Sequence, residues 1–176
     1  MHWAEKIADR IIKKNPDKEE YVCAAGISPS GSIHIGNFRD IATSLFVAKA
    51  IEKRGKKARL LFSWDEFDRF RKVPANVKAI DPDNKMEQYI GRPYTSVPNP
   101  FDTEHENYAK YFEDEFMKSI KKFGIEMDYR YQTDMYTSGA YRDDIIEAIQ
   151  KRKEIFDILD SFRTQDAQEG ERDAYF

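Results

Sequence analysis

Cysteine is almost absent: the 176 residues contain one, Cys23. A single thiol excludes an intramolecular disulfide framework and a cysteine-rich zinc site within this chain. Cys23 lies in an apolar, strand-like stretch and reads as a small buried side chain. Long apolar runs are also missing, so no segment reaches membrane-spanning length. The opening MHWAEKIADR carries charge where a secretory leader needs an apolar stretch, and a reducing cytoplasm with no membrane partner is the default expectation. Positive charge is not in excess: 29 Lys and Arg against 32 Asp and Glu leave a formal net charge of -3, which speaks against a broad basic surface for nucleic acid. Local basic clusters remain at Lys53-Arg54 with Lys56-Lys57, at Arg69 with Arg71-Lys72, and at Lys151-Arg152-Lys153. Such runs are most often solvated faces. Two common nucleotide loops are absent as well, since no Gly-Lys-Ser/Thr closes a Walker-type loop and no GxGxxG occurs. Neither internal repeats nor low-complexity tracts are present.

What remains is a globular composition, 40% apolar and 35% charged, in a length suited to one domain or one domain with an insertion. Trp3, Ile7 and Ile11 fall at helical spacing, and Asn15-Pro16 stops that helix. Tyr21 to Ala25 is a short apolar run closed by Gly26, as suits a buried strand. From His34 to Arg54 the apolar positions Ile41, Leu45, Ala48 and Ile51 keep helical period, with Gly55 placed as a C-terminal cap. Ala58 to Trp64 (ARLLFSW) is apolar on both faces and is expected to be a central strand. This order is a βαβ unit with parallel strands, whose carboxyl-end loops open on one rim.

Residues 73–101 change character, punctuated by Pro74, Pro82, Pro93, Pro98 and Pro100, and are expected to be irregular with one short helix near Lys85–Ile90. A helix is expected from Thr103 to Phe123, then a third strand from Met127 to Gln132. Ser138 is placed to cap one long helix reaching about Phe162. Arg163 to Phe176 shows no packing pattern of its own. The expected organisation is a first segment 1–72, a proline-rich insertion 73–101 and a continuation 102–176. With three parallel strands the sheet is expected to be small and incomplete, with an edge still able to pair.

The loop GISPSGSIHIGN, residues 26–37, follows the first strand and runs into a helix. Gly26 and Gly31 let backbone approach a ligand closely, Pro29 stiffens the turn, and Ser28, Ser30 and Ser32 supply hydroxyls. A helix starting near His34 points free N–H groups and partial positive charge over the loop. His34 and Asn37, three apart, share a face and could reach one phosphate; Gly36 between them leaves room for a flat ring. A histidine at a helix start is also a common cap, and both readings stand at this level.

Residues Pro29-Ser30-Gly31-Ser32-Ile33-His34-Ile35-Gly36-Asn37 resemble the first signature of class I aminoacyl-tRNA synthetases, Pro-x-Gly-x-x-His-Ile-Gly-His, with asparagine in the last place. The blocks GISPSGSIHIGNFRD, SWDEFDRFRKVP and YIGRPYTSVPNPF together resemble the archaeal-type class I lysyl-tRNA synthetases over essentially the whole chain. The resemblance implies an α/β fold, a Rossmann-like parallel sheet flanked by helices, as part of a catalytic half-domain. It implies ATP with Mg2+, lysine and tRNA(Lys) as partners, with lysine activated to lysyl-adenylate and passed to the tRNA. Carried over, His34 and Asn37 would be catalytic, and Pro29, Ser30, Gly31, His34, Gly36 and Asn37 would hold ATP. Gly26 and Ser28 would contact the amino acid. By its own place on that rim, at the carboxyl end of the second strand, Asp65 is the candidate acidic partner of the ammonium and Asp68 a weaker one, while Tyr141 after the third strand is placed either to line the pocket or to pack in the core. The family's second signature, Lys-Met-Ser-Lys-Ser, is not found here; Lys85-Met86-Glu87-Gln88 does not replace it. Zinc would belong only to parts of such an enzyme outside this sequence. The expectation is an amino-terminal portion, weak or inactive alone in full aminoacylation. The alternatives are a small adenylate-forming enzyme and a non-catalytic nucleotide, amino-acid or RNA-binding module.

Overall fold

The computed structural model describes residues 2–165 and 167–175, which group into two compact units, Met1–Thr133 and Asp134–Phe176. The division falls inside the segment 102–176.

The first unit is built on a three-stranded parallel sheet in the order β1-β2-β3, with β1 Glu20–Ile27, β2 Lys57–Trp64 and β3 Asp128–Tyr131. The apolar-on-both-faces run takes the central place, as expected. Register then decides where the loops begin. Ile27 pairs with Trp64 and Trp64 with Tyr131, so the three strands end level. The chain therefore leaves the sheet at Ser28, Asp65 and Gln132 along one rim, and the amide of Asp65 still donates to the carbonyl of Ile27 at 3.0 Å.

Helix α1 (Trp3–Lys14) ends at Asn15 as the Asn-Pro signal predicts, and α2 (Ile35–Glu52) is the crossover between β1 and β2. The α2 helix stops earlier than its apolar period suggests. Lys53 is its C-cap, and Gly55 lies two residues beyond at φ +74°, in the turn leading to β2. Tyr21, Cys23, Ala25 and Ile27 of β1 are buried, with Ile41, Ala48 and Ile51 of α2 and Leu60, Phe62 and Trp64 of β2. Phe62 stacks on Phe116, and Trp64 meets the same ring edge-on, both at 5.4 Å between centroids. Cys23 is the expected buried thiol, pushed above its ordinary pKa by burial first and by the charge of Glu52 second.

The proline-rich stretch has more order than its composition suggests. It contains α3 (Ala75–Lys78) and two short 3-10 turns, Lys85–Tyr89 and Tyr94–Ser96. Phe70, just before the stretch, is tied to its interior: the Phe70 amide donates to the Arg92 carbonyl and the Gly91 amide to the Phe70 carbonyl, each at 2.8 Å. Inside, the carboxylate of Asp81 accepts from the amides of Lys85 and Met86, at 3.0 and 2.7 Å. A second apolar core of Phe70, Val77, Met86, Tyr94, Val97 and Phe112 fastens the stretch to α4 (Tyr108–Lys122). This helix starts five residues after the expected Thr103. Asp102 captures the amides of Glu104 and His105 in a local turn, and Asn107, accepting from Lys110 N at 3.0 Å, is the N-cap. The expected end holds, with Gly124 at φ +63° just past the cap.

In the second unit the single long helix from Ser138 is not formed. Helix α5 (Gln132–Thr137) ends at a turn in which Gly139 has φ +77°, and α6 (Arg142–Gln150) and α7 (Arg152–Asp160) are separated at Lys151. Ser138 lies at the end of α5, where its hydroxyl donates to the carbonyl of Met135, rather than capping a following helix. The closing stretch does pack. Helix α8 (Glu171–Ala174) places Arg172 against Asp157 at 2.5 and 2.7 Å, and Tyr175 meets Phe156 edge-on; Phe176 lies outside the described residues. No described helix is long and apolar enough to cross a membrane.

Candidate active site

The rim carries three loops, and their side chains face one another. His34 is the N-cap of α2: its Nδ1 accepts from the amide of Gly36 at 3.1 Å, and Asn37 Oδ1 accepts from the amide of His34 at 3.4 Å. The cap left open by the sequence is thus realised, and it fixes the ring. With Nδ1 accepting, the neutral ring carries its proton on Nε2. Among the described residues Nε2 has no partner, and neither has the Asn37 amide nitrogen. Both donors remain available at a helix N-terminus. The flanking isoleucines explain how the ring stays out. Ile33 packs against the core while Ile35 is 79% exposed, so the chain turns over at His34 and leaves it in solvent.

Gly36 is required by that ring. A Cβ there would lie 2.9 Å from Cε1 and 3.0 Å from Nδ1 of His34. Gly31 faces open space, with no atom within 4 Å of a Cβ built on it. Pro29 is buried, and the turn behind it is closed by Ser30 N donating to Ser28 O at 2.8 Å. Two tyrosines of the second core hold this turn from below: Tyr108 donates its hydroxyl to the carbonyl of Ser30 at 3.1 Å, and the phenol of Tyr94 meets the hydroxyl of Ser30. Both rings are buried, and desolvation chiefly raises the pKa of both hydroxyls, with the Ser30 hydrogen bond opposing it at Tyr94.

Across the rim, Asp65 to Asp68 form a tight turn closed by the Asp68 amide on the Asp65 carbonyl at 3.2 Å. Its acidic side chains have different fates. Glu66 is 1% exposed and accepts from the amides of Gln132 and Thr133 at 3.1 and 2.8 Å. Asp68 accepts from the hydroxyl of Ser28 at 2.5 Å. Asp65 accepts from Ser63 Oγ at 3.1 Å through Oδ1, while Oδ2 has no hydrogen-bond partner among the described residues. Gly26 lies beside it: a Cβ there would collide with Ser63 at 3.0 Å and stand 3.7 Å from Asp65 Oδ2. Burial holds the Asp65 carboxyl above its ordinary value, opposed by the Ser63 hydrogen bond and reinforced by the charges of Asp68 and Glu66. A half-buried carboxylate with one oxygen unpaired is a group that a cation would neutralise.

A separate groove of about 600 Å3, lined by Leu45, Glu52, Arg59 and Glu126 among others, lies at the amino-terminal half of β2. It is remote from the rim, and Arg59 within it is committed to Glu20 and Asp128. Parallel sheets bind ligands at the carboxyl ends of their strands, which makes the rim the candidate site.

Residues 1–175 match the family model described as tRNA synthetases class I (K). The chain belongs to the class I tRNA synthetase family. Curated relatives include lysine–tRNA ligases of Pyrococcus horikoshii, 41% identical over 163 residues, and of Thermococcus kodakarensis, 44% identical over 163 residues. Each alignment covers 93% of this chain and 30% of the relative. A lysine–tRNA ligase of Treponema pallidum is 42% identical over 165 residues, covering 94% and 30%. The chain thus spans about 30% of the length of these curated relatives.

For this class I chain the structure brings together Gly26, Ser28, Pro29, Ser30, Gly31, His34, Gly36, Asn37, Asp65 and Asp68 on one rim. Tyr141 belongs to the second unit, where its ring meets Tyr136 edge-on at 5.3 Å. Sequence reasoning missed Glu66, Tyr94, Tyr108 and Gln132. The signal for Glu66 was present in its place between two rim aspartates directly after a central strand. The tyrosine tethers reach across the chain and have no local signal. Two basic clusters resolve into structural pairs: Arg54 binds Asp9, Lys57 binds Glu20, Lys151 binds Glu147 and Lys153 binds Asp173.

Proposed function

We propose that this chain supplies the nucleotide- and amino-acid-binding rim of a lysine–tRNA ligase, which activates lysine with ATP and transfers it to tRNA(Lys). Attack by the lysine carboxylate on the α-phosphate forms lysyl-adenylate and releases pyrophosphate. The nucleophile is already ionised near neutral pH, so no general base is needed. The chemistry requires alignment and donors placed where charge builds on the phosphates. His34 Nε2–H and the carboxamide of Asn37 are such donors, held ready by the cap. Pro29, Ser30 and Gly31 shape the turn beside the phosphates, and Gly36 keeps the imidazole in its orientation. Gly26 puts no side chain beside Asp65, Ser28 lies on the same rim, and Asp65 takes the substrate's ammonium. Asp68, already bound to Ser28, acts by orienting that hydroxyl.

Magnesium would accompany the triphosphate. No group of three or more His, Cys, Asp or Glu side chains among the described residues is arranged to hold a metal, so no step is derived through a protein-bound ion.

The observation that carries the proposal is the pairing of an outward Nε2–H at the α2 N-terminus with an open Asp65 oxygen on the same rim. Calorimetric titration with ATP, lysine and lysyl-sulfamoyl-adenosine, a non-hydrolysable lysyl-adenylate analogue, tests it. Binding of the analogue with little pyrophosphate exchange is expected. Exchange by the chain alone would favour a self-sufficient adenylate-forming enzyme, and RNA binding without nucleotide binding would favour a module of another kind.

A further inference from the structure

Asp65 is connected to the third strand by a chain of hydrogen bonds whose direction is fixed. Gln132, the first residue after β3, donates from Nε2 to Ser63 Oγ at 2.6 Å, and Ser63 Oγ donates to Asp65 Oδ1 at 3.1 Å. A hydroxyl has one hydrogen. With a lone pair of Ser63 engaged by the amide, that hydrogen goes to the carboxylate. Gln132 is itself seated from behind, because its backbone amide donates to the buried carboxylate of Glu66 at 3.1 Å.

We infer that Gln132 is a positioning residue for the amino-acid pocket: through Ser63 it anchors Oδ1 of Asp65 and leaves Oδ2 aimed at the ammonium of the bound amino acid. The inference rests on the ammonium-binding reading of Asp65. Its physical content is specificity. Ser63 is the hydrogen-bond partner of Asp65 among the described side chains, and Asp68 and Glu66 add negative charge nearby. Without the Gln132 donor, Ser63 is free to turn its hydrogen elsewhere, and Asp65 is free to rotate toward solvent. Discrimination between a side chain ending in an ammonium and one ending in a methyl group then falls, while contacts to the rest of the ligand persist.

The test is calorimetric titration of the 176-residue chain with lysyl-sulfamoyl-adenosine and norleucyl-sulfamoyl-adenosine, which differ by that ammonium. The readout is the ratio of the two affinities. Gln132→Ala and Ser63→Ala should each lower the lysyl preference by about three- to tenfold, the range for one hydrogen bond, and Asp65→Asn by about thirtyfold. Gln132→Glu keeps the size and, by competing for the Ser63 hydrogen, should lower the ratio at least as far as the alanine variant. It also provides a readout if Gln132→Ala fails to fold. A purely structural role would weaken both analogues equally and leave the ratio intact, which overturns the inference. If Asp65→Asn collapses the ratio while the Gln132 and Ser63 variants do not, the ammonium reading stands and the inference fails. If the unsubstituted chain shows no lysyl preference, both fail together.

Discussion

The hydroxyl of Tyr108 donates to the carbonyl of Ser30 at 3.1 Å, across 78 residues of sequence. The signature turn is therefore shaped from outside: a helix following the proline-rich stretch holds the loop that precedes α2. Tyr108→Phe removes that bond but keeps the buried ring. It should cost about 1 kcal/mol of stability and loosen the turn, so that affinity for lysyl-sulfamoyl-adenosine falls several-fold. Denaturant unfolding and calorimetry on the same variant check both halves.

Gly36→Ala separates folding from function. Alanine is favoured over glycine inside a helix by about 1 kcal/mol, which tends to offset whatever the cap loses. A methyl group 2.9 Å from His34 Cε1 must nevertheless drive the imidazole out of its position. Stability should change by no more than about 1 kcal/mol, while analogue affinity falls about tenfold. Thermal melting and titration compare them.

The pH dependence of binding follows from Asp65, whose carboxyl burial holds above the ordinary aspartate range. It is ionised only above that raised value. Lysyl-analogue affinity should therefore be lost, as pH falls, sooner than an exposed aspartate would allow, and the norleucyl analogue should not follow. The same sign governs folding: a raised carboxyl value in the folded state means that ionisation at neutral pH opposes stability. Asp65→Asn should melt higher at pH 7 and at the same time lose lysyl preference.

A second titrating cluster lies away from the rim. His105 sits between Asp102, 2.8 Å from Nδ1, and Asp114, 3.3 Å from Nε2, and as the imidazolium it donates to both. Its pKa is raised, first by the hydrogen bond to Asp102, and both carboxyls are lowered; Lys118 also pairs with Asp114 at 2.6 Å. The contribution of His105 is full below an unfolded imidazole value of about 6.5 and is lost as pH rises through the raised folded value. That of the two aspartates is present above their ordinary range and is lost as pH falls through their lowered values. The melting difference between the parent chain and His105→Ala should be clear near pH 6 and should shrink by pH 9.

Local chemistry made much of this legible. ARLLFSW had to be a central strand because both of its faces are apolar, and β2 is central. The PSGSIHIGN string marked the turn and helix start, and His34 caps that helix. Three features were hidden for physical reasons. The break at Lys151 departs from helical geometry at one residue, φ -94° and ψ 13°, without glycine or proline, so the apolar period runs through it. The start of α4 depended on a competition between Asp102, which folds back on Glu104 and His105, and Asn107, which caps. The place of Glu66 directly after a central strand marks it for the rim, but nothing in DEFD separates a buried clamp from its acidic neighbours; its 1% exposure and two amide donors do.

The central claim is that nucleotide phosphates bind over the α2 N-terminus while the amino-acid moiety reaches Asp65. Amide-resolved NMR of the isotopically labelled chain during titration with lysyl-sulfamoyl-adenosine measures this residue by residue. The largest shifts should fall at Ser30–Asn37 and at Ser63–Asp68, with Gln132 following. Shifts confined to the groove around Leu45, Arg59 and Glu126, or none at saturating analogue, would contradict the account.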